Sequence, residues 1–380
     1  MLDTMTDSFP FSNRQSFTES PAQTAVNRGI AELRRGQPVL LIDTDGNAGL
    51  AAAVETMNTP LEETFHLAVT SWRASVLGFV LPEGDGLSKN AAVEIQPADG
   101  RPFDAATIQY LADPGAEATD VPLTSMTARP MPLNSIATGA VLLTKLARLL
   151  PAALIRPLKE TEKDAWPALA LLNVADIIAY PKQSAASLSI STEASVPLEG
   201  AEQARLVAFR PSDGGIEHLA IVIGTPDTSK PVLVRLHSEC FTGDLLGSLR
   251  CDCGEQLRGA IAAIGKSGSG VLLYLAQEGR GIGLVNKLRA YRLQDRGFDT
   301  LDANNQLGFD DDERIYDPAV RMLSLLGISR VRLLTNNPQK VEGLTRHGIA
   351  VVERVPHVFP SNRHNEFYLQ TKANRAGHLF

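Results

Sequence analysis

Residues 237–257, HSECFTGDLLGSLRCDCGEQL, contain every cysteine of a 380-residue chain: Cys240, Cys251 and Cys253. Three thiols with the spacing C-x10-C-x-C, and none elsewhere, point to a metal rather than to apolar packing. Zinc takes thiolate ligands at about 2.3 Å in a tetrahedron. Structural zinc sites close that shell with four protein ligands, so three thiols leave one position for water or substrate, as in a catalytic site. His237, three residues before Cys240, is the alternative fourth ligand, and with it the site would be structural. Three cysteines are too few, and odd in number, for a disulfide framework, which points to a reducing compartment.

Working outward, PVLVRLH (231–237) and GVLLYLA (270–276) are short apolar runs of the kind found in buried central strands, and GEQLRGAIAAIG (254–265) between them has helical periodicity. RLVAFR and HLAIVIG flank PSDGG (211–215) and predict a hairpin with a Gly-rich turn. LVNKLRAYRLQDRG (284–297) is a further helix ending at Gly297. Asp317 and Pro318 form a cap and first-turn pair for DPAVRMLSLLG. VRLLT, PQKVEGLTRHG and IAVVERV complete a strand–helix–strand unit. The result is an α/β domain with a mixed sheet, its polar residues gathered in the loops after strands, where such folds place their sites.

The first half is also α/β. AQTAVNRGIAELRRG (22–36) predicts a helix closed by Gly36, leading into the strand PVLLID. Helical patterns follow near 60–70 and 139–150, and a strand-like pattern near 170–179. The Ser- and Ala-rich segment 182–203 holds the boundary, at about residue 187. Three parts are therefore expected: a mobile tail over 1–20, an N-terminal α/β domain over 21–186, and a catalytic domain over 187–380.

Composition narrows the partners. Net charge is −7, against a general nucleic-acid binder, although residues 231–380 alone carry +3, which suits a small anionic ligand. The first twenty residues lack the apolar run of a secretory signal, and AVLLTKLARLLPAALI (140–155) is broken by Lys145, Arg148 and Pro151, so it is no membrane span. A cytoplasmic protein, without nucleic-acid or membrane partners and forming a homodimer, is expected.

The cysteine segment closely resembles the zinc-binding segment of GTP cyclohydrolase II, the enzyme that opens riboflavin biosynthesis. The resemblance continues through LYLAQEGRGIGLVNKLRAYRLQD, ANNQLGFDDDER and LLTNNPQKVEGL, over roughly residues 187–380. It implies conversion of GTP into 2,5-diamino-6-hydroxy-4-(5-phosphoribosylamino)pyrimidine, formate and pyrophosphate. Opening the imidazole needs a nucleophile at C8, and zinc lowers the pKa of bound water to about 7. By resemblance Asp312 is the general base, whereas Asp310 and Asp311 are expected to be a solvated acidic turn. Arg314 matches the residue the family treats as a nucleophile on the α-phosphorus. A protonated guanidinium is a poor nucleophile, so a bidentate clamp on the phosphoryl oxygens asks less of it.

The same resemblance assigns GTP contacts to Glu278, Gly279 and Arg280. Glu278 offers its carboxylate to purine N–H groups, while Arg280 and the turn's backbone suit anionic oxygens. Arg235, Ser238, Glu239, Gln256, Thr300, Thr335 and Lys340 are further implied contacts, the last two bracketing NNP at a helix start that suits phosphate. Tyr291 is implied to lie near the zinc and the purine, where a phenol could orient water. Magnesium is expected to accompany the triphosphate. Two alternatives stay open: a paralogue with an altered purine substrate, and a non-catalytic guanine-nucleotide sensor.

In the first half, IAELRRGQPVLLIDTDG resembles the first helix and strand of 3,4-dihydroxy-2-butanone 4-phosphate synthase. That enzyme's acidic run, of the pattern DDEDRENEGDL, is here DTDGNAGL, leaving Asp43 and Asp45. Hard divalent cations need several carboxylate oxygens. The front half is therefore expected to be a fold relative without synthase activity, serving packing, dimerisation or regulation.

Overall fold

The structure, a computed structural model, describes residues 20–57, 65–81, 91–117 and 122–359. Of the expected N-terminal tail, residues 1–19 lie outside the described residues, as do residues 60–64 of the expected helical stretch.

The chain opens with α1 (Pro21–Arg34), then β1 (Val39–Ile42), β2 (Ala48–Ala53) and β3 (His66–Thr70). Next come α2 (Ser71–Leu77), β4 (Ala92–Pro97), α3 (Ala105–Ala112) and β5 (Met126–Pro130). The half closes with α4 (Ile136–Leu146), β6 (Ala152–Leu158), β7 (Leu171–Asn173) and α5 (Val174–Ala186). Ser20 caps α1: its Oγ accepts from the Gln23 N–H while Gln23 Oε1 accepts from the Ser20 N–H, and Gly36 beyond the far end has φ +75°. The strands form one sheet in the order β5-β4-β3-β6-β2-β1-β7, antiparallel except for the β1–β7 pair. Ala137, Ala140, Val141 and Leu143 of α4 share one core with Val39, Leu41, Ala51 and Ile155 of the sheet.

Two expectations change here. His66–Thr70 is a strand, not helix, because HLAVT pairs with β4 on one side and β6 on the other, and the helix starts only at Ser71. The stretch near 170–179 is strand only over Leu171–Asn173. Beyond it the buried residues are Val174, Ile177 and Tyr180, a spacing of three that belongs to a helix face.

Between Ala186 and Ser189 the chain passes from the first sheet to the second. There follow β8 (Ser189–Ser195), β9 (Ala204–Arg210), β10 (His218–Ile223) and β11 (Val232–Ser238). Then come α6 (Cys253–Lys266), β12 (Gly270–Leu275), α7 (Leu284–Gln294) and α8 (Thr300–Gln306). The last elements are α9 (Asp317–Leu325), β13 (Arg330–Leu334), α10 (Pro338–Arg346) and β14 (Ala350–Val355). The sheet order is β14-β13-β11-β12-β10-β9-β8, parallel from β14 to β12 and antiparallel from β12 to β8. It is a mixed sheet, as expected, and the β9–β10 hairpin is present. Asp317 is not the cap of α9; Tyr316 occupies that position, and Asp317 starts the helix, where its charge favours the N-terminal end. The short polar helix α8 carried no periodic signal in the sequence.

This topology places the site. The parallel strands β11, β12 and β13 end side by side, and the loops after them (239–252, 276–283 and 335–337) leave from one edge of the sheet. Binding sites of α/β sheets form at the carboxyl ends of such strands. No helix among the described residues is long and apolar enough to cross a membrane.

Candidate active site

Cys240 lies just past the end of β11, in front of a single wide helical turn, Phe241–Leu245; Cys251 and Cys253 lead into α6. The three Sγ atoms lie within 4.8 Å of one another, and Cys240 and Cys251 are 3.7 Å apart. A tetrahedron with bonds of 2.3 Å separates its corners by about 3.8 Å, so the trio fits zinc. A Cβ on Gly243 would meet Cys251 Sγ at 2.8 Å and Cys240 Sγ at 3.0 Å; only a residue without a side chain lets the turn close over the sulfurs.

His237 is not part of the trio. Its Nε2 faces the Asp244 carboxylate at 3.0 and 3.1 Å, and the described residues that could jointly hold a metal are the three cysteines. Asp244 also accepts from the Cys240 N–H at 3.0 Å and from the Tyr274 hydroxyl at 2.9 Å, so this carboxylate ties the cysteine turn to two strands. Lys287 of α7 donates from Nζ to Cys240 Sγ and Thr242 Oγ1, each at 3.0 Å, and to Glu278 Oε1 at 2.8 Å. Burial works against its ammonium, but the hydrogen bonds to Glu278 and Cys240 outweigh burial and raise its pKa. Hydrogen bonds from Cys251 and Cys253, and then Lys287, pull the Cys240 thiol well below its ordinary value. Neither Asp244 nor Lys287 was singled out from sequence: an aspartate in a turn and a lysine on a helix carry no local signal.

Beside the trio opens a cleft of about 1130 Å³, counted out to its mouth. Arg235, Ser238, Glu239, Gln256, Glu278, Gly279, Arg280, Tyr291, Thr300, Arg314, Thr335, Lys340 and the three cysteines all line it; of the residues expected at the site, Asp312 alone does not. The lining carries six cations, Arg235, Arg250, Arg280, Lys287, Arg314 and Lys340, against two carboxylates, Glu239 and Glu278. Arg250 and Arg314 are also paired to Asp295 and Asp312, outside the lining; the surplus favours an anionic ligand.

The lining residues differ in how free they are. Glu278 is 3% exposed and turned inward: Oε1 accepts from Lys287 and Gly279, and Oε2 accepts from the Phe241 N–H at 2.6 Å. Three donors from the protein thus hold a carboxylate that also lines the cleft. Glu239 is half-buried and makes no ion pair among the described residues; burial, then the neighbouring Glu278, raises its pKa. Gln256 accepts from Arg235 and donates to Asp252, and burial lowers the Arg235 pKa to about 10. Lys340 reaches back to the Leu236 carbonyl at 2.7 Å, and the Thr335 hydroxyl accepts from the Asn337 N–H at 3.0 Å, with Asn336 and Asn337 also lining the cleft. The Arg250 guanidinium lies 5.0 Å from the centroid of the Tyr291 ring, and the Tyr291 hydroxyl is 3.5 Å from Thr242 Oγ1.

Asp312 stands behind Arg314. Arg314 Nε donates to Asp312 Oδ1 at 2.7 Å and Nη2 donates to Oδ2, a two-point pair. Burial alone would raise the Asp312 pKa, but the guanidinium more than offsets it and holds the carboxyl below its usual range. Asp310 departs from the expected solvated turn, because its Oδ1 accepts from the Trp72 indole at 2.6 Å; Asp311 is exposed. In the front half, Asp43 closes its own turn, Oδ1 accepting from the Asp45 and Asn47 N–H groups and Oδ2 from Asn47 Nδ2.

The family profile for GTP cyclohydrolase II matches residues 189–356. A protein named GTP cyclohydrolase-2 from Azospirillum brasilense is 51% identical over 375 residues, covering 95% of each chain. The chain belongs to the GTP cyclohydrolase II family. Riboflavin biosynthesis protein RibBA of Synechocystis is 36% identical across 93% of this chain and 71% of its own length, which extends this riboflavin-biosynthesis kinship through the front half. Among solved structures, the two-domain 3,4-dihydroxy-2-butanone 4-phosphate synthase RibBX of A. baumannii aligns over 82% of this chain and 93% of its own at a TM-score of 0.33 and 18% identity, too loose a likeness to assign the fold. The cysteine trio, which could hold a metal, and the cation-rich cleft it lines both lie within the matched residues.

Proposed function

We propose that this chain hydrolyses GTP to 2,5-diamino-6-hydroxy-4-(5-phosphoribosylamino)pyrimidine, formate and pyrophosphate, with zinc held by Cys240, Cys251 and Cys253. The observation that carries the reading is that the trio opens onto the same cleft as six cations. Zinc held by Cys240, Cys251 and Cys253 would supply Lewis acidity and a more acidic water for opening the imidazole ring. The chain's own residues do the rest. Arg280, Arg314 and Lys340, with magnesium, bind the triphosphate. Glu239 receives purine N–H groups, the role that the inward-facing Glu278 leaves to it. Lys287, fixed by Glu278, supports the Cys240 sulfur. Tyr291 orients water at the metal end.

The Arg314–Asp312 pair supports a division of labour. An ion-paired guanidinium has no lone pair to attack phosphorus, so Arg314 acts as the clamp on the phosphoryl oxygens. When Arg314 turns to phosphate, Asp312 loses the partner that depresses its pKa and becomes a stronger base. Three thiolates as metal ligands fit a cytoplasmic, reducing setting. The front half, whose Asp43 is spent on its own turn, lacks synthase activity in this reading, and the working enzyme is a homodimer.

With GTP and magnesium, the zinc-loaded protein is expected to release formate and pyrophosphate in equal amounts, read by coupled assays. Binding of GTP without turnover would instead favour the sensor, and ring opening without formate the altered paralogue. Given ribulose 5-phosphate and magnesium, the same preparation should release no formate; release there would contradict the assignment of the front half.

A further inference from the structure

The front half reaches into the loops that carry the site. Lys145, at the end of α4, donates from Nζ to Glu313 Oε1 at 2.6 Å, and their side chains are only 13% and 19% exposed. Glu313 sits between Asp312 and Arg314, and the same Oε1 accepts from the Asp310 N–H at 2.9 Å. The Glu313 N–H donates to the Arg280 carbonyl at 3.1 Å, and Arg280 Nη1 donates to the Asp311 carbonyl at 3.1 Å, so loops 276–283 and 309–314 are laced together.

Three residues on from Lys145, Arg148 donates to the Ala276 carbonyl at 2.9 Å, and the buried Asn286 of α7 donates back to the Arg148 and Leu149 carbonyls, each at 3.3 Å. Arg148 and Arg280 are the non-glycine residues with left-handed φ among the described residues, +59° and +62°. L-residues hold that conformation only where their surroundings over-determine it, and such residues cluster at functional sites. One belongs to each half, on either side of the same contact. Trp72 and Arg73 add a second tie from the front half, to Asp310 Oδ1 and to the Gln306 carbonyl.

We infer that Lys145 is a positioning residue of the GTP site, holding loop 309–314, and with it Asp312 and Arg314, in register with the 276–283 loop through its contact with Glu313. This rests on the proposed function. Lys145 does not line the cleft and touches no reacting group; it acts through Glu313. It also gives the front half a task that needs no catalysis of its own.

The test uses the full-length, zinc-loaded protein. Lys145→Ala should lower kcat about 10–100-fold, the cost of a catalytic group misplaced by about an ångström, with KM for GTP little changed and zinc content intact. Lys145→Arg should recover most of the loss. Glu313→Gln, which keeps the shape and removes the charge, should reproduce it, and Lys145→Ala/Glu313→Gln should be no worse than either alone. Wild-type kcat in Lys145→Ala or Glu313→Gln would overturn the inference. So would losses that multiply in the double variant, or losses that Lys145→Arg leaves unrepaired. Should Lys145→Ala fail to fold, Glu313→Gln decides by the same kcat criterion. A wild-type protein that turns over no GTP would overturn the proposed function itself, a separate result.

Discussion

Cys251→Ser is expected to remove the metal and GTP turnover together. A serine hydroxyl does not ionise near neutral pH, so the substitution leaves two thiolates and an open cleft where zinc needs a third anchor. Changes to groups that merely orient metal ligands cost about 10–100-fold in affinity or activity, and the loss of a ligand should exceed that. We expect zinc to fall from about one per chain to a small fraction, and kcat to fall by at least about 1000-fold. The fold should survive, because the trio lies at the end of β11 while the apolar core of this domain is built by Val207, Phe209, Val234, Leu273 and Leu333. Metal analysis of the folded variant, with circular dichroism to establish folding, checks both halves of the expectation.

The second large effect concerns the Asp312–Arg314 pair. Asp312→Asn removes the base and should lower kcat about 100–10,000-fold while GTP still binds. Arg314→Lys keeps a charge but loses the planar fork, and should cost about 100–1000-fold in kcat. The pH dependence has a definite sign. Arg314 depresses the Asp312 pKa, so in the free enzyme the acid limb of kcat/KM should lie below the ordinary carboxylate range. Arg314→Gln removes the guanidinium and leaves burial in control, so the acid limb of the residual activity should move to higher pH. Because the native pKa is the lower one, the pair's stabilisation is present above the unfolded carboxylate pKa. It is lost as pH falls through the native value.

How much of this was legible in the sequence depended on distance along the chain. The cysteine trio was legible because its members fall within fourteen residues and one residue type carries the chemistry. Strands β11 and β12 were legible because a buried parallel strand is a short apolar run wherever it occurs. The stretch beyond residue 170 was misjudged because LLNVADIIAY is apolar in either reading, and only the three-residue spacing of Val174, Ile177 and Tyr180 marks the helix. Glu278 could be found but not oriented, since two of its three hydrogen-bond donors, Phe241 and Lys287, lie on other segments that meet it only in the fold. Asp310 looked like a solvated acid because its partner, Trp72, is 238 residues away in the other half. The pairing of Lys145 with Glu313 is invisible in the sequence for the same reason: the two are separated by 168 residues.

The proposed function makes a metal on Cys240, Cys251 and Cys253 indispensable to GTP turnover. It is tested most directly by measuring zinc content and formate release on one preparation before chelation, after it, and after zinc is returned. About one zinc per chain, loss of turnover with the metal, and recovery when zinc alone is added back are expected. Turnover that persists undiminished in metal-free, folded protein would contradict it.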